Sequence, residues 1–318
     1  MPPEPLASVI IPFYNQEPYV VECLESVARQ QTPFPFEILA GDDCSTDRTR
    51  AIIEECQQRY PDIIRLIALK KNLGLVGNVE RCEEAARGKY LAYCGGDDIW
   101  SHPEKLRKQV DFLEQHPDHG LVHCDYYQLV AGETVGPVHA SSGQIVPVGN
   151  VFEDLLWSNF IAALTACWRA DLRQTLAASP FAGPWLLEDY PRWLHASGHS
   201  LVGYLDEPLA TYRVLKNSMS NNARKRLPLE ISCWDLKIEG AKRAGLSIEL
   251  QDRLVKCRNL EIIRYAMLTG DRPLFKREYQ TMRVHNPAWK KRWRNQVRAL
   301  LMFAGLHRVV RFWHEKAG

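Results

Sequence analysis

Within its first 130 residues the chain repeats one pattern: a short β-branched apolar run, a polar break, then a stretch with helical spacing. ASVIIPFYN (7–15), FEILAGDDCS (36–45), IIRLIAL (63–69), YLAYCGG (90–96) and LVHCDYYQLV (121–130) read as strands. Between the first two, Val20, Val21, Leu24, Val27 and Ala28 fall on one helical face, with Pro18 suited to the first turn. The second helix would use Ile52, Ile53, Cys56 and Tyr60, with Thr46 or Asp47 as its cap. A third would run through Ala85 and Ala86 and end at Gly88, and a fourth from Pro103 to Gln115. Strands that alternate with helices and are apolar on both faces predict an α/β fold, a mostly parallel sheet flanked by helices.

Residues 131–160 carry β-branched residues between glycines and read as a long hairpin or excursion; 161–215 would complete the same domain. Beyond about residue 222 the pattern is helical. The expected division is an α/β domain over 1–221 and a helical C-terminal extension over 222–318. With 46% hydrophobic and 25% charged residues, the chain can bury the core such a division requires. A net charge of +2 argues against bulk affinity for nucleic acid. Nine scattered cysteines, odd in number and without C-x-x-C spacing, predict reduced thiols in a cytosolic compartment rather than a zinc site or disulfide framework. MPPEPLASVIIPFYN lacks the basic start and long apolar stretch of a signal peptide, and the longest apolar run, ALLMFAGL (299–306), is too short to span a bilayer. A soluble or peripheral protein is expected.

Open α/β sheets bind ligands at the carboxyl ends of their strands. Asn15 follows the first strand, Asp42 and Asp43 the second, and Asp97 and Asp98 the fourth. Adjacent carboxylates repel unless a cation or hydrogen-bond donor offsets them. Hard dications such as Mg²⁺ take one or two protein carboxylates plus substrate phosphates. YCGGDDIW (93–100) therefore reads either as an exposed turn or as a metal site holding a phosphorylated ligand.

SVIIPFYN, LAGDDCSTDRT and GKYLAYCGGDDIWSHPEKL, in this order and on strand ends, resemble the family 2 glycosyltransferases. These are inverting enzymes with the GT-A, Rossmann-like nucleotide-diphospho-sugar fold. The resemblance is strong over residues 7–130 and weaker to about 220. It implies that Pro12 and Tyr14 line the base pocket with Glu17 nearby, and that Asp43 accepts a hydrogen bond from the nucleobase, usually uracil. By the same resemblance Asn78 and Arg81 contact the nucleotide or its phosphates and Asp97 faces the ribose. Asp98, with Asp97, would bind Mn²⁺ or Mg²⁺ against the diphosphate. His102, His123 and Asp125 read as packing or acceptor contacts.

An inverting transfer needs a base for the acceptor hydroxyl. In LLEDYPRWL (186–194) the resemblance assigns that role to Asp189, with Glu188 beside it to position the acceptor; the alternative is a structural acid paired with Arg192. The stretch lacks the Q-x-x-R-W signature of processive members, which implies addition of one sugar at a time. ATYRVLKNSMSNN (210–222) resembles the loop that closes over the diphosphate, making Arg213, Lys216, Ser218 and Ser220 candidates. Leu215 stands where a histidine is frequent, and Lys216 is the available substitute.

The stretch 286–318 combines Trp289, Trp293 and Trp313 with Lys290, Lys291, Arg292, Arg294 and Arg298. It suits either an anionic membrane surface or packing on the domain. The expected partners are a nucleotide-sugar donor, uridine-linked by the resemblance, and a glycan or lipid-linked acceptor, with no nucleic acid. The expected location is the cytoplasm, at the inner face of the membrane. Two alternatives are a degenerate nucleotide-binding scaffold and a sugar nucleotidyltransferase. The latter favours a glycine-rich basic segment after the first strand, and PFYNQEPY has neither feature.

Overall fold

The structure is a computed structural model that describes residues 3–143, 145–215 and 223–285. Lys216, Ser218 and Ser220, and the basic tryptophan-rich stretch 286–318, lie outside the described residues. The chain divides into two compact units: Met1–Ser179 with Glu188–Leu215, and Pro180–Leu187 with Lys216–Gly318. Pro180–Leu187, read in sequence as part of the first domain, groups with the second.

The first unit opens with β1 (Ala7–Phe13), α1 (Val20–Ala28), β2 (Phe36–Asp42), α2 (Thr49–Arg59), β3 (Ile64–Ala68), α3 (Gly74–Ala85), β4 (Tyr90–Tyr93) and α4 (Lys105–Gln115). It continues through β5 (His119–Val130), β6 (Glu133–Val135), α5 (Val138–Ser142), α6 (Phe152–Trp157), β7 (Cys167–Arg169), α7 (Ala170–Leu176), α8 (Tyr190–His199) and β8 (Leu201–Val214). The sheet runs β3-β2-β1-β4-β7-β5-β6, and β8 pairs with β5. β1 is parallel to β2 and β4, β2 to β3, and β5 to β8; β7 and β6 run antiparallel to their neighbours.

β1 and β4 are buried at nearly every position because helices cover both faces, which is why their sequences are continuous apolar runs. On α1 the buried face is Val20, Cys23, Leu24, Val27 and Ala28, whereas Val21 is 42% exposed. Cysteine packs there as a small apolar residue. The second helix starts at Thr49, and Asp47 Oδ1 accepts the Thr49 N–H from outside it, so neither Thr46 nor Asp47 is its cap. Residues 131–160 form an excursion containing β6, α5 and α6.

The chain order reverses between β1 and β4, the topological position where α/β sheets open a ligand crevice. Pairing of β4 to β1 stops at Ile10 and Tyr93, with Cys94 N–H donating to the Ile10 carbonyl. Pro12, which lacks an N–H, lies beyond that point.

The second unit contains α9 (Ala223–Arg243), α10 (Ile248–Thr269) and α11 (Arg272–His285). Ile262, Ile263, Ala266, Phe275, Tyr279 and Met282 form its core, with Leu227 and Ile231 packed against them. Ser247 caps α10 and left-handed Gly270 ends it. Among the described residues no helix is long and apolar enough to cross a membrane.

Candidate functional site

Three loops meet at the carboxyl ends of β1, β2 and β4. The first two are laced together: Asn15 N–H donates to Ser45 Oγ at 3.0 Å, and Thr46 N–H donates to Asn15 Oδ1 at 2.8 Å. Gln16 N–H donates to Thr49 Oγ1 at 2.8 Å, and Arg48 N–H to Glu17 Oε2 at 3.1 Å. Glu17 is thus already engaged by α2. Tyr14 is 49% exposed and free to face a ligand, and Pro12 is half-buried.

Asp43 is only 1% exposed, and both its oxygens accept backbone donors: Leu73 N–H at 2.7 Å and Gly74 N–H at 2.9 Å. It fixes the entry to α3. Asn78 is also buried, donating from Nδ2 to the Gly41 carbonyl at 2.9 Å and, weakly, to that of Phe13 at 3.4 Å. The side chain read as a nucleotide contact on a solvated helix start lies inside, tying α3 to β1 and β2. Arg81 is exposed and pairs with Glu84 on its own helix.

The third loop, Gly95-Gly96-Asp97-Asp98, folds back onto the first. A Cβ on Gly96 would sit 2.2 Å from Gln16 Oε1, 2.5 Å from Phe13 Cδ1 and 2.8 Å from the Pro12 carbonyl. A Cβ on Gly95 would sit 2.6 Å from Asp98 Oδ2. The glycines therefore make room for the protein's own loop and carboxylate. Asp98 is 4% exposed; its Oδ1 accepts the Arg213 N–H at 2.9 Å, and its own N–H donates to the Gly95 carbonyl at 2.9 Å. Burial and then neighbouring Asp97 raise the Asp98 carboxyl to about 8; burial also raises Asp97.

The Arg213 side chain closes the loop from outside. Its Nε donates to the Asp97 carbonyl at 2.8 Å and its Nη2 to Glu22 at 2.5 Å, and its guanidinium lies 5.0 Å from the Tyr19 ring centroid. The residue expected at the diphosphate is here a strap between β8, α1 and the aspartate loop.

Among the described residues no group of three or more His, Cys, Asp or Glu could hold a metal. The available donors are Asp97 and Asp98, and among the described residues no cationic side chain forms an ion pair with either carboxylate. This set fits a hard dication only when phosphate oxygens and water complete its coordination, as Mg²⁺ sites usually require.

Glu188 and Asp189 sit at the start of α8. Asp189 is the cap, accepting Tyr190 N–H at 2.6 Å and a hydrogen bond from the Asn159 side chain. Part of each residue remains accessible, but the carboxyl groups lie deep in protein. Burial, then the other acid, raises Glu188 to about 8, and burial raises Asp189. Arg192 does not pair with either carboxylate. Its Nε and Nη2 grip Glu83 of α3, each at 2.7 Å, and Tyr93 at the end of β4 donates to the same Glu83 at 2.5 Å. Thus β4, which leads into Asp97 and Asp98, also anchors the helix bearing the acidic pair. Glu83 was not identified from sequence; its signal was an acid on the buried stripe of α3 beside Val79 and Cys82.

His123 packs among Tyr204, Phe160 and His139, and burial lowers its pKa to about 3. Asp125 accepts the N–H groups of Tyr126, His139 and Ala140, holding the excursion in place. His102 Nδ1 accepts Glu104 N–H before α4.

Comparison with known proteins agrees with this architecture. The family model "Glycosyl transferase family 2" matches residues 8–155. The putative teichuronic acid biosynthesis glycosyltransferase TuaG of Bacillus subtilis is 30% identical over 230 residues, covering 70% of this chain and 84% of that protein. An uncharacterized protein of Mycobacterium tuberculosis is 47% identical over 111 residues, covering 35% of this chain and 32% of that protein. The match thus spans about a third of the length of such mycobacterial relatives. Staphylococcus aureus TarS 1–349 in complex with UDP-GlcNAc superposes with a TM-score of 0.57 at 18% identity, covering 90% of this chain and 91% of that one. The mannosyltransferase PcManGT of Pyrobaculum calidifontis, in complex with GDP-Man and Mn²⁺, gives 0.58 at 16%, covering 98% and 88%. At these identities the structural likeness is one of fold. By its extended match to TuaG, together with the family model over the strand-end motifs, the chain belongs to glycosyl transferase family 2.

Proposed function

We propose that this protein is an inverting glycosyltransferase that moves one sugar from a nucleotide-diphosphate donor, a UDP-sugar, to a hydroxyl of a glycan or lipid-linked saccharide. The observation that carries this reading is the buried Asp98 carboxylate at the β1/β4 crevice, held by the Arg213 N–H and, among the described residues, in no ion pair. The sugar-nucleotide complexes of TarS and PcManGT, the latter with Mn²⁺, support a nucleotide-sugar and a divalent cation.

In this reading Tyr14 and the Asp43-braced loop border the nucleobase. Asp97 and Asp98 would hold Mn²⁺ or Mg²⁺, which would supply positive charge against that developing on the departing diphosphate. Arg213 keeps the aspartate loop in place and adds positive charge at its rim. Asp189, fixed as the helix cap, accepts the proton of the attacking acceptor hydroxyl, and Glu188 orients that hydroxyl. Such a base contributes about 10²- to 10⁴-fold when within hydrogen-bond reach. TuaG, by its name, is assigned to teichuronic acid biosynthesis, which supports a cell-surface saccharide as acceptor. Work on such an acceptor at the inner face of the cytoplasmic membrane is part of this proposal.

Calorimetric titration with UDP, with and without Mn²⁺, beside Asp98→Ala tests it. Metal-dependent UDP binding that the variant loses supports the assignment. Binding of GDP in preference to UDP would replace the uridine donor, and no binding of either would overturn the transferase reading.

A further inference from the structure

Arg192 and Glu83 stand 109 residues apart in sequence and are both almost fully buried. Their contact is bidentate, both N–H···O distances being 2.7 Å. Three further groups immobilise it. Tyr93 donates to Glu83 Oε1 at 2.5 Å, Trp168 Nε1 donates to the Tyr93 oxygen at 2.8 Å, and Arg173 donates to the Glu83 carbonyl. Trp193, the next residue on α8, packs edge-on against Tyr93 with centroids 5.7 Å apart.

A buried ion pair is weak evidence for net stability, because desolvation offsets most of its attraction. This one has another consequence. The remaining guanidinium nitrogen, Nη1, donates to the main-chain carbonyl of Glu188. Arg192 is therefore fastened to the backbone beside the acidic pair and hydrogen-bonds neither carboxylate, although its charge still lowers both. A carboxylate paired directly with arginine has its pKa lowered by about 1 to 3 units, which would weaken it as a proton acceptor.

Among the described residues the other groups around the pair do not supply a substitute cation. Asn159 is neutral, Glu153 and Asp154 on α6 are exposed acids, and Arg173 on α7 is engaged by Glu83. His195 on α8 points to Thr175 and the Leu172 carbonyl, and Tyr93 is kept protonated by burial and then by Glu83.

We propose that Glu83 is a positioning residue for the transfer reaction. By gripping the Arg192 fork it pins the first turn of α8 to α3 and β4 and keeps the guanidinium off the Glu188 and Asp189 carboxylates. This rests on the reading of those two acids as the acceptor-side pair. In Glu83→Gln the fork loses its anionic partner and the nearest anions become Glu188 and Asp189.

The test combines carbon-13 NMR titration of carboxyl-labelled Glu and Asp with the pH profile of UDP release from a UDP-sugar. In Glu83→Gln the midpoint of the acidic pair falls by about 1 to 3 units, the rise in activity moves to lower pH with it, and turnover on the plateau above about pH 8 drops about 10-fold or more while donor KM stays within about 2-fold. Tyr93→Phe, which keeps the ring and deletes one hydroxyl, gives a smaller fall of the same sign and covers the case of a poorly folded Glu83→Gln. The double variant Glu83→Gln/Arg192→Gln has no cation to redirect, so its midpoint lies at or above that of the wild type. A midpoint unchanged or raised in both Glu83→Gln and Tyr93→Phe overturns the positioning role. Absence of UDP release from the wild type would overturn the transferase reading instead, with the titration still deciding the role of the pair.

Discussion

The backbone N–H of Arg213 donates to Oδ1 of Asp98 at 2.9 Å, joining positions 115 residues apart. A main-chain donor cannot be withdrawn by a rotamer change, so β8 fixes one oxygen of Asp98 while its Oδ2 remains next to Gly95. An asparagine at position 98 can accept the same bond but brings no charge. Asp98→Asn should therefore lose metal-dependent UDP binding and cut transfer by about 10²-fold or more. Its melting temperature should match or exceed that of the wild type, because a poorly solvated negative charge has been removed. Calorimetry and thermal unfolding on one preparation check both halves; a large fall in melting temperature would count against this account of the site.

Arg213 offers a second, separable handle. Its side chain reaches the Asp97 carbonyl, Glu22 and the Tyr19 ring together, a combination that uses the planar fork of arginine. Lysine cannot reproduce it. Arg213→Lys should raise donor KM about 10-fold, consistent with loss of a charged hydrogen bond of about 1.5 kcal/mol. Glu22→Ala should change it by less than about 3-fold, since Glu22 is largely exposed and surface pairs contribute little. Steady-state kinetics on the two variants decides; equal effects would place the strap at Glu22 rather than at the aspartate loop.

The two loop glycines should fail differently. A methyl on Gly96 collides with Gln16, with the Phe13 ring and with the Pro12 carbonyl, and that last atom belongs to a central strand. Gly96→Ala should destabilise the protein by about 1–3 kcal/mol. At Gly95 the nearest atom is Asp98 Oδ2, the end of a side chain. Gly95→Ala should fold with little loss but bind Mn²⁺ and UDP more weakly. Urea unfolding and calorimetry distinguish the two, and a Gly95→Ala variant that binds normally would remove the carboxylate-room explanation.

The parts of this molecule that were legible in sequence are those written in consecutive residues. ASVIIPF and YLAY announce strands covered on both faces because every residue must be apolar there, and the acids after β2 and β4 stand out against such runs. Asn78 shows the limit. A polar residue near a helix start reads as solvated, and only pairing of β1 with β2 creates the buried Gly41 carbonyl that Asn78 satisfies. The Glu83–Arg192 contact is less legible still, because each residue resembles an ordinary surface charge until α3 and α8 are placed on the same side of β4. The excursion over 131–160 was hard for another reason: its position depends on Asp125, whose role as an acceptor for three main-chain N–H groups has no local sequence pattern.

The acidic pair predicts that stability and activity move in opposite directions with pH. Glu188 is raised from its ordinary value to about 8 by burial and by Asp189, which is also raised. Because the folded pKa exceeds the unfolded one, the native state holds more protons than the unfolded state between about pH 4.3 and the folded value near 8. In that window the pair's contribution to stability falls as pH rises and is lost above about 8; Asp98, raised to about the same value, adds to the fall, and buried His123, lowered to about 3, opposes it at the acid end. Proton acceptance needs the ionised pair, so turnover should climb through the same window and level off above it. Glu188→Gln should flatten the stability slope by removing one of the two coupled acids. It should also move the rise in activity to lower pH, because Asp189 then ionises without a neighbouring charge. Asp189→Asn should instead lose about 10²- to 10⁴-fold in turnover at every pH. Melting temperatures and rates of UDP release measured from pH 5 to about 9 provide the check. A stability slope and an activity rise that Glu188→Gln both leaves unmoved would mean that this pair does not carry the proton of the reaction.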